Sequence, residues 1–91
     1  MSYSFTVKAD DKFKLKAAVS DELDKVVAQQ PVHAADRGVH QQAAYAMIDL
    51  VREPRESEQI VAAINGSCWK DDGADKLNGG SVGVNISHQT K

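Results

Sequence analysis

Hydrophobic and polar residues alternate at the start of the chain. Tyr3, Phe5 and Val7 are separated by Ser2, Ser4, Thr6 and Lys8. A period of two with aromatic and β-branched residues predicts a half-buried strand over 2–8. The period then lengthens. Leu15, Val19, Leu23 and Val26 follow helical spacing, while Lys14, Lys16, Asp21, Asp24 and Lys25 mostly lie elsewhere, which predicts an amphipathic helix over 10–30. Asp10 or Asp11 can cap its start. Pro31 ends it, because the residue before a proline is pushed out of the helical region.

After a connector over 31–36, a second helix is expected from about Ala35 to Arg52. Val39, Ala43, Met47, Leu50 and Val51 are read as its inward face, with Ala43, Ala44 and Ala46 permitting close approach to a neighbour. Pro54 closes it, and the short connector implies antiparallel helices. Residues 55–59 read as a solvated link. The next stretch is ambiguous. Residues 59–64 fit a short helix with Gly66 as C-cap, or a strand over 59–69, and Asn65-Gly66 also fits a tight hairpin turn. The long strand is preferred for its β-branched content and because the last strand needs a partner. Residues 70–80 carry the turn signals Asp71-Asp72-Gly73 and Asn78-Gly79-Gly80. Val82, Val84 and Ile86 alternate with Ser81, Gly83, Asn85 and Ser87, giving a strand over 81–88, and 89–91 read as a frayed polar tail.

The expectation is therefore one α+β domain over 1–91. It has a three-stranded antiparallel sheet with two helices packed on one face, in the order β-α-α-β-β. Tyr3, Phe5, Val7, Ile60, Ile64, Val82, Val84 and Ile86 would face the helices.

That alternation gives the opposite sheet face Ser2, Ser4, Thr6, Val61, Ala63, Asn65, Ser67, Ser81, Gly83, Asn85 and Ser87, with Trp69 at its edge. An ordinary solvated face carries more Lys, Glu and Arg. A smooth face of small, mostly polar residues admits another surface closely, at the roughly 10 Å of sheet-on-sheet packing. Ser4, Thr6, Asn65, Ser67, Trp69, Asn85 and Ser87 are thus candidate contacts for a protein partner or a second copy. The competing reading is a face that is simply exposed.

Composition narrows the field. The 91 residues carry 11 basic and 13 acidic side chains, a formal charge of −2, which indicates neither a polycation for nucleic acid nor a strongly acidic mimic. Ala supplies 12 of the hydrophobic residues, so large apolar side chains suffice for one core and no more. The single cysteine, Cys68, excludes an intrachain disulfide. No apolar run approaches a membrane span, and the N-terminus alternates instead of forming a signal-peptide block. A cytoplasmic protein is expected.

Candidate chemistry is thin. His33, His40 and His88 lack ligand spacing, and Cys68 has no partner cysteine, so the three read as surface or half-buried histidines and no metal is assigned. A thiol-dependent site on Cys68 would need a pocket and oriented partners. Asp71, Asp72 and Asp75 lack the spacing of a calcium loop. No catalytic residue and no cofactor is assigned. Lys8, Lys12, Lys14 and Lys16 form the one local basic cluster, interrupted by Asp10 and Asp11. It supports a runner-up reading as a weak nucleic-acid-binding accessory protein.

The segments Val26-Val27-Ala28-Gln29-Gln30-Pro31-Val32-His33-Ala34-Ala35-Asp36-Arg37 and Asn65-Gly66-Ser67-Cys68-Trp69 resemble small uncharacterised proteins encoded by phages and prophages. The likeness extends to the layout of strand, Ala-rich helical pair and Ser/Val-rich hairpin. It implies a bacterial cytosol and no enzymatic activity, and it transfers no functional residue; with the small-residue face, the leading expectation is a non-enzymatic interaction module of phage or prophage origin.

Overall fold

A computed structural model describes residues 2–67 and 81–91. The order is strand β1 (Ser2–Ala9), helix α1 (Lys12–Gln29), a 3-10 turn (Pro31–Asp36), helix α2 (Arg37–Leu50), strand β2 (Glu58–Ser67) and strand β3 (Ser81–Thr90). The sheet runs β1-β2-β3, antiparallel throughout. Val7 stands opposite Ala62, which stands opposite Ile86, and this register is continuous across all three strands. Both helices lie on one face, α1 over β1 and α2 over β3. The expected α+β fold and element order hold.

Helix α1 begins where a carboxylate can satisfy its free amides. Asp11 has extended backbone angles, and its Oδ1 accepts from the Lys14 N–H at 2.7 Å. Replacing Asp11 with Ala should cost about 1 kcal/mol, read as a lower midpoint in urea unfolding with unchanged slope. Leu15, Val19 and Leu23 are the buried line of this helix, as its spacing predicts. Instead of a plain connector, the chain from Pro31 makes a 3-10 turn that delivers His33 to the interior.

Three expectations are corrected. The inward line of α2 is His40, Ala44 and Ile48, not Val39, Ala43, Met47 and Leu50, while Val51, just past the helix, packs half-buried against the core. Val39 is 65% exposed and Leu50 80%. The helix is turned by about one residue because His40, though polar, finds a buried partner in Tyr3, and Ile48 then falls on the sheet side. Second, Glu58 belongs to β2 and not to a solvated link, and β2 takes in Gln59 as the preferred strand does. Arg52 grips the Glu58 carboxylate with two nitrogens, at 2.7 and 3.0 Å, and the Arg55 N–H adds a third bond at 2.9 Å. These bonds, the Arg52 pair first, hold the carboxyl down at about 2. Third, residues 89–90 are not frayed. They pair with Gln59 and Glu58, and the Lys91 N–H donates to the Ser57 carbonyl.

Residues 59–64 are strand, so the helical alternative falls. Asn65-Gly66 is not a turn either, since both residues pair with β1 and β3. The core joins Leu15, Val19, Leu23, Ala44 and Ile48 from the helices to Tyr3, Ile60, Ala62 and Ile64 from the sheet. Phe5, Val7, Val82, Val84 and Ile86 pack around it, half-buried. Arg37 clamps the start of α2 to α1. Its Nη2 donates to the Ser20 carbonyl and hydroxyl, and its Nε pairs with Asp24 at 2.8 Å.

Candidate functional site

The sheet face turned away from the helices carries the small residues that alternation assigns to it. The register sets them in rows. Ser2, Ser67 and Ser81 form one row, Ser4, Asn65 and Gly83 the next, then Thr6, Ala63 and Asn85, then Lys8, Val61 and Ser87. Of the candidate contacts, Ser4, Thr6, Asn65, Ser67, Asn85 and Ser87 thus share one continuous surface. Trp69 lies outside the described residues, as do Cys68, the Asp71–Asp72–Asp75 group and Asn78-Gly79-Gly80.

This face is smooth for identifiable reasons. A side chain at Gly83 would begin 2.9 Å from the Asn65 Oδ1, so glycine leaves room for the Asn65 amide to lie across the sheet. The Ser67 and Ser81 hydroxyls bond to each other at 3.1 Å. Val61 departs from the expected character, being 6% exposed between Lys8 and Ser87. Three strands about 4.8 Å apart and eight residues long make a surface of roughly 14 by 26 Å.

A second constellation, on the helix side, is absent from the sequence reading. Tyr3, His33 and His40 come from β1, the 3-10 turn and α2, and they meet in the interior with exposures of 8%, 2% and 4%. The Tyr3 hydroxyl and His40 Nδ1 share a hydrogen bond of 2.7 Å. The His33 ring stands edge-on to Tyr3, with centroids 5.1 Å apart, and its Nε2–H donates to the Gln30 amide oxygen at 3.0 Å. Burial, reinforced by the Asp36 carboxylate, pushes the Tyr3 phenol up to about 12. Burial also lowers both histidines from their ordinary 6.5, and Asp36 opposes that only in part. The rings are neutral, enclosed core residues rather than the surface or half-buried ones expected. His88 stays apart, its Nε2 donating to the Arg52 carbonyl at 3.0 Å.

The lysine cluster is divided among different tasks. Lys12 Nζ donates to the Val51 carbonyl at 2.8 Å and Lys16 pairs with Asp49 at 2.6 Å, so both neutralise the C-terminal end of α2. Lys8 lies on the open face and Lys14 on the exposed side of α1. Among the described residues no three His, Cys, Asp or Glu side chains are placed to share an ion. No described helix is long and apolar enough to cross a membrane.

Comparison with family models, with curated proteins and with solved structures gives no match for this chain.

Proposed function

We propose that this chain is a non-enzymatic protein–protein interaction module of phage or prophage origin, working in a bacterial cytosol. Its contact surface is the open sheet face. One observation carries the reading: six candidate contacts from three strands, all small and uncharged, form one continuous surface on which Lys8 is the one charged residue among its four rows. Such a surface offers short hydrogen bonds and close approach while freezing little side-chain entropy. Trp69 joins the proposal from the sequence alone, as an aromatic anchor beside the face.

The nucleic-acid reading has less support, because Lys12 and Lys16 are engaged by α2 and do not line up with Lys8. An enzymatic reading would need the histidines at a surface, and His33 and His40 are enclosed.

The test is affinity capture from bacterial lysate with mass spectrometry. The intact chain should recover a specific protein, and the variant T6R/N85R, which places two guanidinium groups on the face, should lose it. Recovery of the same protein by T6R/N85R and by Trp69→Ala alike would discard the face as the contact surface.

A further inference from the structure

We infer that the free edge of β3, with the outer flank of α2 above it, takes up an extended segment of a partner protein as a fourth strand. The segment alternates apolar and small polar residues. The site is separate from the open face and does not rest on that reading.

Among the described residues, β3 pairs only with β2, which leaves its other edge with unpaired backbone groups. Such an edge is a template for another strand, and edges that avoid pairing carry charges, lysine above all. β1 carries Lys8, whereas no charged residue interrupts Ser81–Ser87.

The two layers differ in width. Three strands about 4.8 Å apart span about 14 Å, and two helices about 10 Å across span about 20 Å side by side. The helix layer is wider than the sheet by about one strand. The two sides treat this overhang differently. Lys16, Ser20 and Asp24 of α1 bond to α2, so the 3.6-residue turn puts Ala18, Glu22 and Lys25 on the far flank, toward the β1 edge. Glu22 and Lys25 pair there, and that side is closed by groups suited to water. On α2, His40, Ala44 and Ile48 point inward, and Arg37 and Tyr45 point toward α1. Val39, Ala43, Met47 and Leu50 therefore lie on the flank toward the β3 edge. Val39, Met47 and Leu50 are exposed there, at 65%, 39% and 80%.

A strand added to β3 lies under that flank. Its residues on the helix side meet Ala43 and Met47 above and Val82, Val84 and Ile86 beside them, which three strands leave half-buried. Its other residues continue the open face, where small polar side chains fit. Neither the flank nor Ser81–Ser87 carries a charge, so the middle of the segment is uncharged. Helix and strand run in step: His40 bonds Tyr3, in the row of Val82, and His88 bonds the Arg52 carbonyl beyond the helix end. The apolar flank thus follows the strand along its length. A second copy cannot supply the strand from either of its own sheet edges, because each is covered by a helix. That helix would lie about 4.8 Å from α2, where packed helices need about 8–10 Å. The occupant is a strand with no helix of its own above it.

The test is selection from a random-heptapeptide library against the full chain, followed by NMR titration of a selected peptide. Selected sequences should alternate apolar and polar residues. The peptide should shift the amides of Ser81–Ser87 and the methyl groups of Val39 and Met47. Two versions of it, N-methylated at odd or at even positions, decide the mode of binding. In an added strand only alternate N–H groups face the neighbour, so one version should lose at least about a hundredfold in affinity and the other only a few-fold. V39K/M47K should weaken binding at least about tenfold, and T6R/N85R should not. Circular dichroism checks that both variants are folded. No selected peptide, equal affinity of the two methylated versions, or binding lost in T6R/N85R and kept in V39K/M47K would each overturn the proposal. The last would move the peptide to the open face.

Discussion

Gly66→Ala is expected to lower stability by about 3 kcal/mol, the largest effect of a methyl added at any of the described glycines. The backbone at Gly66 is ordinary strand, paired with Tyr3 and Val82, so the reason for glycine is space and not conformation. A Cβ there would lie 2.5 Å from Tyr3 Cε2 and 2.6 Å from Cζ and the hydroxyl oxygen. The ring cannot swing aside freely. It is bonded to His40, stacked on Phe5 at 5.9 Å between centroids, and met edge-on by His33. Overpacking of this kind costs about 1–3 kcal/mol, and displacing the ring also leaves His40 Nδ1 without its partner, which costs about 1–3 kcal/mol more. In a domain this small, 1 kcal/mol moves the melting temperature by about 4–8 °C. The measurement is thermal and urea unfolding of Gly66→Ala alone and with Tyr3→Leu. Removing the ring removes the clash, so the alanine should cost less than about 1 kcal/mol in that background. An equal cost in both backgrounds would show that the ring is not what excludes a side chain.

That contact also explains why the sequence leaves Gly66 open to a turn or helix-cap reading beside the preferred strand. Asn-Gly is a strong local turn signal, and nothing within a few residues says that an aromatic ring from the far end of the chain occupies the space. The parts legible in the sequence are those set by local period. Tyr3, Phe5 and Val7, and then Val82, Val84 and Ile86, declare their strands and their inward side, and the small-residue face follows as their complement. The capping carboxylate of Asp11 is legible for the same reason. Helix α2 is not. Val39, Ala43, Met47 and Leu50 make the more apolar stripe, but the line actually buried contains His40, whose burial depends on a hydroxyl 37 residues away. Glu58 is misread similarly. It looks solvated until Arg52, beyond the end of α2, closes on its carboxylate.

Acidification should destabilise the protein in two separate steps, the first set by the enclosed histidines. Their folded-state pKa values lie below the unfolded 6.5, so the unfolded chain binds more protons as pH falls through that region. The stability due to neutral rings is complete above about 6.5 and is lost as pH falls toward the folded-state values. Each full unit of depression corresponds to about 1.4 kcal/mol for each ring. The structural cause is specific. Protonating His33 places a hydrogen on Nδ1, which is buried with no hydrogen-bond partner in its surroundings. Protonating His40 makes both of its ring nitrogens donors inside the core, so Nδ1 can then only donate to the Tyr3 hydroxyl. The second step belongs to Glu58. Its depressed carboxyl contributes stability above about 4.5 that is lost as pH falls through about 2. Urea midpoints measured from pH 8 to pH 3, with the imidazole Cε1–H resonances followed in the folded protein, separate the two steps. The variant Y3F/H40L removes one titrating ring together with its hydroxyl partner and keeps the apolar volume. It should flatten the decline between pH 6.5 and 5 and leave the steeper loss below pH 4 in place. A wild-type midpoint constant from pH 8 to 5, or an unchanged decline in Y3F/H40L, would mean that the enclosed rings are not what acid attacks first.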